Sequence, residues 1–235
     1  MDEEDSVQGL MVRVVHELRS PLAVMNGYLS MILDGTFDVP FETREGPIRV
    51  LASKAQEMDM LIETLAASVR GVASTAPQQP QEFDAASAVR HAVARVEGRA
   101  RLEGARVEVQ AASRNGSMVW ASRPDVACVL TNLLHNALSY SPRPSSVLIE
   151  VRPGDPVEVA VYDHGEGVPA GQEESIFRPF VRASRSVPGL GIGLPVSREM
   201  AERNGGSLVL EWTEEGRGSV FVLRLPSSDS MRKTA

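Results

Sequence analysis

Four stretches of this chain gather residue types that can handle phosphates, cations or protons. In the first, Val14-Val-His-Glu-Leu-Arg-Ser-Pro-Leu22, the Glu17 carboxylate adjoins the His16 imidazole and can take or share its proton. Pro21 follows five residues on, where proline removes a backbone hydrogen bond and bends a helix, opening that face to a visitor. An ordinary surface histidine would explain the same residues equally well. In the second stretch, Leu130–Pro142, Asn132 and Asn136 are four apart and share a helix face. Two aligned carboxamide oxygens suit a hard cation such as Mg²⁺. Capping or solvated polar surface is the alternative, although asparagine is a poor helix former and two in mid-helix need a reason.

The third stretch, Val159–Pro169, reads as a strand ending in Asp163, followed by Gly165 and Gly167. Alternate glycines let the backbone approach a planar ligand, and a carboxylate there can accept from an exocyclic amine. A plain turn has the same signature. In the fourth, Gly189, Gly191 and Gly193 lead into a helix start, which offers free N–H groups and a positive dipole end to an anion. The G-x-G-x-G spacing is neither the dinucleotide fingerprint nor a P-loop. Just upstream, Phe177 and Phe180 stand beside Arg178, Arg182 and Arg185, the pattern of a lid with an apolar latch and cationic arms.

These groups need elements to position them. Met11, Val15, Leu18, Leu22, Met25, Leu29 and Ile32 recur at alternating spacings of four and three. Ile48, Leu51, Ala55, Met58, Ile62, Leu65 and Val69 do the same, so two bundle-type helices are predicted around a break at 34–46. The first helix carries further apolar residues off its seam (Leu10, Val14, Val24, Met31), more than one partner helix can cover. A dimeric four-helix bundle is therefore expected, in preference to a hairpin packed on the rest of the chain. Residues 73–83 read as a polar, proline-containing linker. Helix signals then cover about 84–97, 123–139 and 193–204, among strand signals at about 105–111, 117–121, 146–152, 157–162, 207–212 and 219–225. The expected fold is an all-α hairpin over 1–72, an α/β sandwich over 84–226, and a loose tail over 227–235.

Composition narrows the partners. Lys and Arg number 24 against 31 Asp and Glu, a net charge of −7, which speaks against nucleic acid. One cysteine, Cys128, precludes an intrachain disulfide and suits a reducing compartment. No apolar run reaches the ~18 residues of a membrane span, and the acidic start is unlike a signal peptide, so a soluble, cytoplasmic chain is predicted.

Taken in order, the stretches resemble the boxes of sensor histidine kinases of two-component systems, of the HisKA type. His16-Glu-Leu-Arg-Ser-Pro resembles the phospho-acceptor box, Asn132–Pro142 the N box, and Asp163-His-Gly-Glu-Gly the G1 box. Phe177–Phe180 resembles the F box and Gly189–Gly193 the G2 box; the likeness covers about 7–226. It implies a dimerisation and phosphotransfer hairpin followed by a Bergerat-type (GHKL) ATP-binding domain. It further implies an ATP- and Mg²⁺-dependent autokinase that phosphorylates His16 and passes the group to an aspartate of a response regulator receiver domain. By this resemblance Glu17 manages the second imidazole proton, and Ser20 bears on phosphatase activity toward the regulator. Asn136 holds Mg²⁺, with Asn132 near the phosphates. Asp163 binds the adenine amino group, Tyr140 packs on the base, and Arg182 reaches the γ-phosphate. Gly165, Gly167, Phe177, Phe180 and Arg185 complete the ATP site, with Gly189, Gly191 and Gly193 bordering the triphosphate.

Two positions depart from the family pattern. Ser139 stands where many relatives have lysine, and Arg185 of the short lid 183–188 is expected to supply the missing charge. Ser20 stands where threonine or asparagine is usual. The alternatives are an ATP hydrolase of the same superfamily, which would carry a glutamate base where this chain has Asn132, and a silent dimeric scaffold. With no sensor domain or membrane span in the sequence, the stimulus is expected through a longer parent protein or a separate partner.

Overall fold

The computed structural model describes residues 18–19, 21–34, 47–48, 50–51, 54–55, 58, 79–111, 117–184 and 191–234, with only the backbone of 231, 233 and 234. The chain divides into two compact units, Met1–Gly71 and Val72–Ala235. Among the described residues no helix is long and apolar enough to cross a membrane.

In the first unit residues 18–19 and 21–33 are helical (α1), and the described positions between 47 and 58 are helical too (α2). Along the described seam positions Leu22, Leu29 and Ile48 retain 45, 43 and 53% of their surface, while Leu18, Met25, Ile32, Leu51, Ala55 and Met58 are half-buried.

The second unit is a helical layer over a five-stranded sheet. Its elements run β1 (Gln81–Asp84), α3 (Ala85–Leu102), β2 (Arg106–Ala111), β3 (Met118–Ala121), α4 (Arg123–Tyr140), β4 (Ser146–Arg152) and β5 (Val157–Asp163). There follow a 3-10 turn at Ser175–Phe177, α5 (Gly193–Arg203), β6 (Ser207–Glu214), β7 (Gly218–Leu225) and α6 (Ser228–Thr234). The large sheet has the order β2-β4-β5-β7-β6, with β2 and β4 parallel and every other pair antiparallel; β1 pairs with β3 in a separate ribbon.

Local chemistry fixes these bounds. Along β4 side chains alternate in and out, burying Val147, Ile149 and Val151 against the helices. The Asp84 side chain caps α3 by accepting from the Ala86 N–H at 3.1 Å. Ser122 caps α4 through Asp125, with proline in the first turn. Asn204 closes α5 and clasps the start of α4, accepting from the Ser122 N–H at 2.5 Å and donating to Asp125 at 3.0 Å. The helices α4 and α5 thus pack antiparallel, with the end of α5 clasped to the start of α4.

Two expectations are corrected. The linker reading extends to residue 83, yet 81–84 form β1, whose partner β3 lies more than thirty residues on. The tail after 226 is not loose: Ser227 bridges to Val119, and Ser227 Oγ accepts the Ser230 N–H at 3.2 Å to start α6.

Candidate functional site

Helix α4 buries Val126, Val129, Leu130, Leu133, Leu134, Ala137 and Leu138, which turns Asn132, Asn136 and Tyr140 to its other side, half-buried. Asn132 donates through Nδ2 to Ser197 Oγ of α5 at 2.9 Å. A Cβ on Gly193 would lie 2.5 Å from Asn132 Oδ1, so this glycine lets the first turn of α5 close on α4. Asn136 sits one helical turn further on and makes no side-chain hydrogen bond among the described residues. The spacing places both carboxamides on one face, and their surroundings then separate them: one is engaged and one is available.

Strand β5 delivers Asp163 to the same region at 9% exposure. Its Oδ1 accepts two backbone N–H groups, from Gly165 at 2.8 Å and Ser219 at 3.2 Å. Burial pushes this carboxyl above the usual range, while those two N–H groups and His164 pull the other way. A Cβ on Gly165 would stand 2.8 Å from the Tyr140 carbonyl oxygen, so the glycine brings the end of β5 against the end of α4. Gly167 has φ +72°, and a Cβ there would strike the Glu214 carbonyl. Both alternate glycines therefore meet a close approach of backbone.

Burial raises the Tyr140 hydroxyl above its ordinary pKa, and the nearby Arg182, hydrogen-bonded to it, works in the opposite direction. Arg182 Nη2 is buried with no hydrogen-bond partner among the described residues. An orphaned guanidinium N–H is a donor that an anionic ligand could satisfy.

The two aromatics of the lid reading separate. Phe177 is 7% exposed, meets Phe221 edge-on at 6.4 Å and lies under the Arg198 guanidinium at 3.5 Å. It anchors the segment in the core and presents no face to a ligand. Phe180 is 37% exposed and has φ +66°, a left-handed conformation costly for an aromatic residue. Its N–H donates to the Gly191 carbonyl at 2.9 Å, and Gly191 itself has φ +68°. His16, Glu17, Ser20, Arg185 and Gly189 lie outside the described residues.

Behind Asn136 lies a polar cluster that no motif announces. Arg99 of α3 reaches His135 Nδ1 at 2.7 Å, Ser139 Oγ at 2.7 Å and Glu103 Oε1 at 3.0 Å. A guanidinium only donates, so Nδ1 accepts and the neutral ring carries its proton on Nε2. The sequence hides this cluster because the helix signal ends at about 97, although Val96 and Ala100 continue the buried stripe of α3.

Burial, together with the charges of Arg99 and Arg95, pushes His135 down to about 4. The unfolded chain therefore takes up this proton as pH falls through 6.5, and the folded chain does not until about 4. The contribution to stability is whole above pH 6.5 and is lost below it, on the order of 3 kcal/mol by pH 4. His135→Gln keeps an acceptor for Arg99 and should flatten that part of the urea-midpoint profile between pH 7 and 4.5. Identical profiles for the two proteins would refute the assignment.

The α/β sandwich thus brings Asn132, Tyr140, Asp163 and the first turn of α5 together where α4, α5 and the end of β5 meet. Residues 121–229 match the family described as Histidine kinase-, DNA gyrase B-, and HSP90-like ATPase. The chain is 29% identical over 228 residues to the sensor-like histidine kinase SenX3 of Mycolicibacterium smegmatis, covering 95% of this chain and 58% of the relative. To the alginate biosynthesis sensor protein KinB of Pseudomonas aeruginosa it is 29% identical over 219 residues, covering 92% and 36%. Among solved structures, histidine kinase ThkA in complex with response regulator protein TrrA shares the fold, with a TM-score of 0.66 at 22% identity, covering 97% of this chain and 64% of that one. The resemblance read from the motifs therefore holds: the chain is related to sensor histidine kinases of two-component systems. It spans less than two thirds of those curated relatives' own length.

Proposed function

We propose that this chain is an ATP-dependent protein-histidine autokinase that phosphorylates His16 and passes the phosphoryl group to an aspartate of a response regulator. The observation that carries this reading is the pairing of α4 with α5 at Gly193, which sets Asn132 and the glycine-bordered helix start within one cleft. Phosphoryl transfer needs in-line placement and charge neutralisation far more than covalent help. In this reading Asp163 holds the adenine amino group through the oxygen its backbone bonds leave spare. Tyr140 lies along the base, and Arg182 meets phosphate oxygens with its unpartnered Nη2. Asn136, with its free carboxamide, is the residue that would hold Mg²⁺, which when bound neutralises phosphate charge. The His16 Nε2 attacks the γ-phosphorus as its bond to the bridging oxygen breaks and ADP leaves, and the Glu17 carboxylate accepts the Nδ1 proton. The regulator as partner is supported by the relatives' class and by the ThkA–TrrA complex.

The hydrolase alternative is disfavoured by Asn132 itself, an amide already bonded to Ser197 that cannot take a proton from water. The direct test is incubation with γ-labelled ATP and Mg²⁺. Label that is lost in acid and kept in base supports a phosphohistidine; a base-labile label, or none, refutes it.

The hairpin is the proposed dimer interface, supported by the seam residues left open in one chain. Leu22→Glu with Leu29→Glu would bury unpaired charge in a four-helix bundle and should give a monomer by sedimentation. A surviving dimer would place the interface elsewhere.

A further inference from the structure

Arg99 lies outside every motif, yet its fork grips α4 on both sides of Asn136. Nη1 bonds His135, the residue just before Asn136, and Nη2 bonds Ser139, three residues after it and next to Tyr140. Residues three or four apart share a helix face, so Ser139 borders the face that carries Asn132 and Asn136. The counter-charge is incomplete. Glu103 Oε1 accepts from Arg99 at 3.0 Å and pairs with Arg143 at 3.1 Å, so one carboxylate serves two guanidiniums. One carboxylate against two guanidiniums leaves a surplus positive charge, shared between the buried Arg99 and Arg143, which is 65% exposed. The Arg99 side chain is 16% exposed, so water screens its share of that charge far less than Arg143's.

We propose that Arg99 is a positioning residue of the nucleotide site, holding the turn of α4 that presents Asn136 and lending it the positive charge that Ser139 lacks. This rests on the nucleotide-site reading above. The partner it serves is a polyphosphate: the charge acts on the triphosphate and leaves the nucleoside largely untouched. A purely structural Arg99 would affect ATP and adenosine alike.

The test is calorimetry on the full chain with ATP–Mg²⁺ and with adenosine. Arg99→Met should weaken ATP binding on the order of tenfold, as expected for losing one partly screened charge near phosphate. Adenosine binding should change much less. Adding Ser139→Lys in the Arg99→Met background should restore most of the ATP affinity. Arg99→Gln, which keeps a donor for Ser139 and should fold where methionine does not, should show the same ATP-selective loss. Equal losses for ATP and adenosine with no rescue by lysine, or no loss at all beside a normal wild type, would overturn the role of Arg99 alone. A wild-type chain that binds no ATP would overturn the site reading and this role with it.

Discussion

Replacing His16 by glutamine is expected to abolish all acid-labile labelling from γ-labelled ATP while leaving ATP affinity unchanged. The two effects separate because His16 belongs to the unit Met1–Gly71 and the nucleotide cleft to Val72–Ala235. With Val15 and Leu18 on the apolar seam, position 16 falls beside it, so glutamine removes the nucleophile without disturbing the bundle. Glu17→Gln leaves the attacking nitrogen but removes the carboxylate proposed to manage the second proton. A positioned acid–base group contributes typically ~10²–10⁴-fold, and autophosphorylation should fall within that range. Ser20→Ala, one turn on, should spare autophosphorylation and reduce only dephosphorylation of the regulator. Rates for the three variants at saturating ATP decide the matter. Label persisting in His16→Gln would move the acceptor, and Glu17→Gln matching wild type would remove its assigned role.

What can be read in advance is what repeats or alternates. The alternation along β4 and the long apolar stripe of α4 are periodic, and both elements lie where the pattern puts them. The segments that escape such reading have little periodicity to offer. The four residues Gln81–Asp84 become a strand only because β3 lies alongside, and Ser228–Thr234 has almost no apolar stripe and is held by its Ser227 cap. Side-chain direction is the other limit. Two phenylalanines three apart look alike in sequence, yet one fills the core and the other takes a left-handed turn. Asn132 and Asn136 are equivalent by spacing, but Ser197, four residues into α5, engages only the first. Arg99 is invisible for a related reason. Besides the local Glu103, its partners lie on α4, 36 and 40 residues away, and nothing local in α3 signals them.

Asp163→Asn is expected to weaken ATP binding by roughly 10- to 150-fold, the equivalent of a charged hydrogen bond at ~1.5–3 kcal/mol. The wild-type carboxylate divides its labour. Oδ1 is occupied by the Gly165 and Ser219 N–H groups, which leaves Oδ2 as an acceptor for an amino donor. Asparagine has one acceptor and one donor end. If its oxygen keeps the two backbone bonds, its NH₂ faces the adenine amino group, donor against donor. If it turns over, the NH₂ meets two backbone N–H groups and strands them in a buried site. The first arrangement preserves the fold, so the loss should fall on nucleotide affinity and leave the melting temperature nearly unchanged. The pH dependence gives a second reading. Burial raises the Asp163 pKa above the ordinary carboxylate range, so wild-type binding should weaken on the acid side sooner than an exposed aspartate would allow. A carboxamide in its place cannot titrate, so that limb should vanish in the variant. Unchanged ATP affinity in Asp163→Asn, or an acid limb that survives the substitution, would remove Asp163 from the adenine site.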